Sequence, residues 1–102
     1  MGKLVDNIRR AVREGRFVVS EHVNKRLRER KIVAWQVATG LEKSKLLLER
    51  SDGEPHPVVE FHEELADGTP IKAVWAWIPE RKVAKLVTVH FLPRAGTWRY
   101  QD

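Results

Sequence analysis

The chain has 102 residues, no cysteine, 42% hydrophobic and 32% charged residues, and a formal net charge of +5. This length bounds it to one domain. The cysteine count excludes disulfides and thiolate metal sites, and no apolar run nears the roughly 20 residues of a membrane span. The charge is uneven. Residues 1–31 hold ten Lys/Arg against four Asp/Glu, whereas residues 32–102 hold nine against ten. A positive field in the N-terminal third favours a polyanion partner, most simply nucleic acid, with a solubilising surface as the competing reading. The N-terminus carries no signal-peptide core, so a cytoplasmic location and no membrane association are expected.

Leu4, Ile8, Ala11 and Val12 recur at helical spacing, and Gly15 supplies a stop. This predicts a first helix over about 3–14, with Arg9, Arg10 and Arg13 facing water. Phe17-Val18-Val19 reads as a short extended link. Ser20 is a good N-cap for a second helix from Glu21 to about Arg30. On that helix His22, Arg26 and Arg30 fall at i, i+4 and i+8, so an imidazole and two guanidiniums share one face. Val23 and Leu27 form the adjacent apolar stripe. Lys31-Ile32 breaks the rhythm, and Val33, Val37, Ala38 and Leu41 predict a third helix flanked by Trp35.

After Ser44 the period changes. Residues 45–50 read as a strand and 51–55 as a loop. Val59, Phe61 and Leu65 alternate with Glu60, His62 and Glu64, as on a half-buried strand. Strands are also expected over Ile71–Ile78 and Val83–Phe91, with Val83, Val87, Val89 and Phe91 on one parity. Turns fall at Ala66–Thr69 and Pro79–Lys82. Helices first and a meander second predict an α+β fold, two or three N-terminal helices packed on a four-stranded antiparallel sheet. The open sheet face would carry Glu60, His62, Lys72, Thr88 and His90. Residues 1–93 form the expected domain, and 94–102 a C-terminal tail in which Trp98 is a candidate partner contact.

The pattern Phe17-x-x-Ser20-x-His22, then Arg26, then Glu29-Arg30-x-Ile32, with a terminal Leu86-Val87-Thr88-Val89 strand, resembles a bacterial domain-of-unknown-function family, DUF4258. That family is grouped with the RelE/ParE-like toxin fold. Val23 stands where the family usually has Ala. The resemblance covers about 17–92. It implies a toxin-like protein of a toxin–antitoxin system that binds or cleaves RNA, with RNA or the ribosome as target and an antitoxin protein as partner. A non-catalytic module binding nucleic acid or protein, and a ParE-like inhibitor of a protein target, are the alternatives.

Metal-independent RNA cleavage needs a base for the 2′-OH, cations for the phosphate and an acid for the leaving oxygen. His22, Arg26 and His90 are the candidate catalytic residues, and Arg30, Lys72, Arg9, Arg10 and Arg13 the candidate RNA-binding cations. Four of these have a structural competitor: a capping role for His22, an ion pair with Glu60 for Arg26, a solvated face for Arg30, and an ordinary sheet position for His90. No His-x-x-x-His spacing occurs, so no metal and no cofactor are expected.

Overall fold

A computed structural model describes residues 3–93. Helix α1 spans Lys3–Arg13, strand β1 Phe17–Val19, α2 Glu21–Glu29 and α3 Ala34–Gly40, followed by a single 3₁₀ turn at Leu41–Lys43. Strands β2 (Lys45–Arg50), β3 (Val58–Glu64), β4 (Pro70–Ile78) and β5 (Val83–Phe91) complete the fold. The five strands form one mixed sheet in the order β1-β5-β4-β3-β2, with the helices on one face.

The α+β class agrees with the sequence, but the sheet has a fifth strand. Phe17-Val18-Val19 is no link. It pairs in parallel with β5, Phe17 opposite Ala84 and Val19 opposite Leu86. Three residues are too few for alternation to show, so the strand was invisible as a pattern. Strands β2 to β5 form the expected antiparallel meander.

The helices bury most of the stripe their spacing dictates, but Val5 is buried where Leu4 is expected, Leu4 is half-buried, and Val33, the N-cap of α3, is exposed. Val5, Ile8, Ala11 and Val12 of α1, Val23 and Leu27 of α2, and Val37 and Ala38 of α3 are buried. They meet Val59, Phe61, Ile71, Ala73, Trp75, Leu86 and Val89 from the sheet. Trp75 is fully buried, and the Phe17 ring meets it edge-on at 5.8 Å. Complete burial of such a side chain contributes about 2–3 kcal/mol. Gly15, at φ +80°, closes α1: its N–H donates to Val12 and that of Arg16 to Ala11.

The parity of β5 departs from the expectation. The register slips between Val74 and Trp75, which pair with Thr88 and Leu86, so Val87 is an extra residue. Such a bulge moves the inward set by one. Ala84 and Leu86 face the core before it, and Val89 and the half-buried Phe91 after it.

Candidate nucleic-acid interface

Helix α2 is pinned at its start to that bulge. The Ser20 N–H donates to the Leu86 carbonyl at 3.1 Å, and the Ser20 hydroxyl donates to the Val87 carbonyl at 3.4 Å. The same oxygen accepts from the Val23 N–H at 3.2 Å, the N-cap bond that the sequence predicts. With Val23 and Leu27 buried, His22, Arg26 and Arg30 are turned outward, and all three are exposed.

Both arginines lie over one aromatic ring. The Arg30 guanidinium carbon is 4.1 Å from the centroid of Phe91, and that of Arg26 is 6.0 Å away. A guanidinium over a ring face is held by the ring quadrupole while its N–H fork stays available. Neither arginine has a carboxylate within ion-pair distance among the described residues. The expected rival, an Arg26–Glu60 pair, is absent. Glu60 instead lies 3.5 Å from Lys72 and 3.8 Å from Arg50.

The sheet residues gather on the opposite face, as the alternation predicts. His62 pairs in register with Lys72, and Lys72 with His90. Lys45, opposite His62 on β2, extends the row. His90 therefore points away from the layer containing His22 and Arg26, because its neighbours Val89 and Phe91 face the helices. The structure does not bring the three candidate catalytic residues together. It sorts them onto two surfaces, His22 with Arg26 on one and His90 with Lys72 on the other.

The arginines of α1 separate as well. Arg10 is exposed and has no carboxylate partner among the described residues. Arg13 is exposed but donates to Glu42 at 2.9 Å, a bond that raises its pKa further. Arg9 corrects the expectation that all three face water. It is half-buried, lies 5.2 Å over the Phe61 ring, and donates to the Ser44 carbonyl at 3.0 Å. Its guanidinium ties α1 to the start of β2, so it is a structural cation.

Two residues were missed from the sequence. Phe91 reads as one more inward strand position, and nothing local shows that its ring supports α2 arginines. Glu63 is the other. It sits on the parity of Val59 and Phe61, is 1% exposed, and has no hydrogen-bond partner for either carboxylate oxygen. Burial pushes its carboxyl up to about 8. The alternation contains that signal, since Glu63 falls where an apolar residue belongs. Trp98 and the rest of the tail lie outside the described residues. No family model matches this chain, and no curated protein or solved structure does.

Proposed function

We propose that this protein is a toxin-like RNA-binding protein whose contact surface for the phosphate backbone is the exposed face of α2. The observation that carries this reading is the pair Arg26 and Arg30, set over Phe91 and without a carboxylate partner among the described residues. Two unneutralised guanidiniums one turn apart present a repeat of forked donors, the geometry that phosphate oxygens accept. Their charge is part of the net +6 of residues 1–31. Attraction of that kind supplies most of the sequence-independent affinity for nucleic acid. The resemblance to DUF4258 and the RelE/ParE-like toxins supports the same assignment, with RNA or the ribosome as target and an antitoxin protein as partner.

Binding is favoured over cleavage by the split of the histidines. A metal-independent endoribonuclease needs an acid and a base on opposite sides of one phosphate. Here His22 lies on α2, in the helical layer on one side of the sheet, and His90 on the sheet face turned away from that layer. The test is fluorescence anisotropy with a labelled single-stranded RNA, followed by analysis of the RNA ends. The expected result is salt-dependent binding, lost in Arg26→Glu/Arg30→Glu, with the RNA intact. Cleavage that survives EDTA, leaves 2′,3′-cyclic ends and disappears in His22→Ala would replace this reading with the nuclease. Absence of RNA binding would refute both.

A further inference from the structure

A second basic site lies at the other end of the molecule. Asn7 and Arg10 of α1, Arg16 just after it, Trp77 near the end of β4, and Pro79 and Lys82 of the following turn line a cavity of about 330 Å³. That volume is at the lower end of the roughly 300–1,000 Å³ range of small-ligand sites. Lys82 precedes β5 and Phe91 ends it, so eight strand steps put this cavity roughly 25 Å from the α2 face.

The side chains in the wall differ in how firmly they are held. Arg16 is fixed: its Nε and Nη2 donate to Glu14 at 3.0 and 2.8 Å, and its Nη1 donates to the Lys82 carbonyl. Its charge is already matched by Glu14, and its place in the site is to hold the β4–β5 turn against α1. Arg10 and Lys82 are exposed and have no carboxylate partner among the described residues. Trp77 is half-buried, so part of its ring packs on the core while the rest faces the cavity. The backbone of Lys82 is at φ +54°, a left-handed conformation that glycine adopts with less strain. A lysine therefore lines the cavity at a conformational cost.

We propose that this cavity binds a nucleoside 5′-monophosphate, with the base against Trp77 and the phosphate between Arg10 and Lys82. The chemistry follows from the lining. Two unpaired cations select a phosphate dianion, one aromatic wall selects a flat ring, and the Asn7 amide adds donors and an acceptor suited to a base or ribose edge. The site does not depend on the α2 reading and is tested separately from it.

The experiment is isothermal titration calorimetry of the full chain with AMP, adenosine and inorganic phosphate. AMP is expected to saturate one site, and adenosine to bind at least about tenfold more weakly. Lys82→Gly keeps the left-handed backbone and removes the side chain with its ammonium, and Arg10→Gln removes the other cation. Each is expected to lower AMP affinity about tenfold. Trp77→Ala is expected to lose about tenfold for AMP and nothing for inorganic phosphate, whereas Trp77→Phe retains most of the AMP affinity. If Trp77→Ala fails to fold, the Lys82→Gly and Arg10→Gln arms decide. Arg26→Glu/Arg30→Glu should leave AMP binding unchanged. A 5′-phosphorylated trinucleotide that binds more tightly than AMP would name a strand end as the ligand, and the reverse order a free nucleotide. Absence of saturation by roughly 10 mM AMP, or AMP binding indifferent to Lys82→Gly, Arg10→Gln and Trp77→Ala, overturns the proposal.

Discussion

The α2 face and the open face of the sheet carry similar side chains and dispose of their charge in opposite ways. On the sheet, Lys72 and Arg50 converge on Glu60, so one carboxylate serves two cations. On α2, Arg26 and Arg30 converge on a phenyl ring, which orients them without neutralising them. A cation already paired must give up that partner to bind phosphate, whereas a cation on a ring gives up only water. Basic composition therefore says less about a nucleic-acid surface than the identity of what each cation touches.

The largest effect should come from reversing charge on α2, set beside neutralising it on the sheet. Arg26→Glu/Arg30→Glu is expected to weaken single-stranded RNA binding about a hundredfold or more at low salt. Lys72→Gln on the sheet should change it less than about threefold. Anisotropy on the three proteins side by side measures both, and a larger loss from Lys72→Gln would move the interface to the sheet.

A second test separates charge that acts at the surface from charge that acts in the core. Glu63 ordinarily ionises near 4.5, and burial raises it to about 8 in the folded chain. Between these values the folded state holds a proton that the unfolded state has released. Its contribution to stability is therefore full below about pH 4.5, falls as pH rises, and levels off above about 8. The slope approaches about 1.4 kcal/mol per pH unit. Urea unfolding across that window should show the decline in the native chain and a flatter profile in Glu63→Gln. Arg26→Glu/Arg30→Glu should keep the native slope.

Gly40 tests the same carboxyl by geometry. A Cβ at Gly40 would sit 2.3 Å from Glu63 Oε2, inside contact distance. Gly40→Ala should destabilise the chain by about 1–2 kcal/mol, although alanine is the better helix former. In a Glu63→Ala background the same change should be neutral or stabilising. A thermal-unfolding double-mutant cycle gives the coupling, and additivity of the two changes would refute the contact.

The smallest effect concerns the ring itself. Phe91→Leu keeps an apolar side chain beneath α2 but removes the quadrupole under Arg30. RNA affinity should fall about threefold, with the salt dependence kept, because both charges remain. No change in anisotropy would mean that the ring only fills space.

Much of this arrangement is legible in the residues. The 3.6-residue stripes of α1 and α2, the Ser20 cap, the β3 alternation and the Pro79–Lys82 turn all follow from local chemistry, and so does the row His62, Lys72, His90. What escaped depends on pairing between distant segments. Phe17-Val18-Val19 becomes a strand only because β5 offers it an edge. The Val87 bulge shifts the inward set of β5 without any local mark such as glycine. Arg9 reads as an outward arginine like Arg10 until Ser44 and Phe61, more than thirty residues away, enclose it. The separation of His22 from His90 has the same origin: both read as exposed histidines, and only the layering of helix on sheet assigns them to different faces.

Contact between RNA phosphate and Arg26 and Arg30, which have no carboxylate partner among the described residues, sets the salt dependence of binding. The measurement is the slope of log affinity against log salt concentration for single-stranded RNA, for the native chain and for Arg26→Gln/Arg30→Gln. Each phosphate contact on a single strand contributes about 0.7 to that slope. Neutralising both arginines should reduce its magnitude by about 1.4. The single neutralisation Lys72→Gln on the sheet should leave it unchanged. An unaltered slope in Arg26→Gln/Arg30→Gln, or an equal drop in Lys72→Gln, would contradict the assignment of the α2 face.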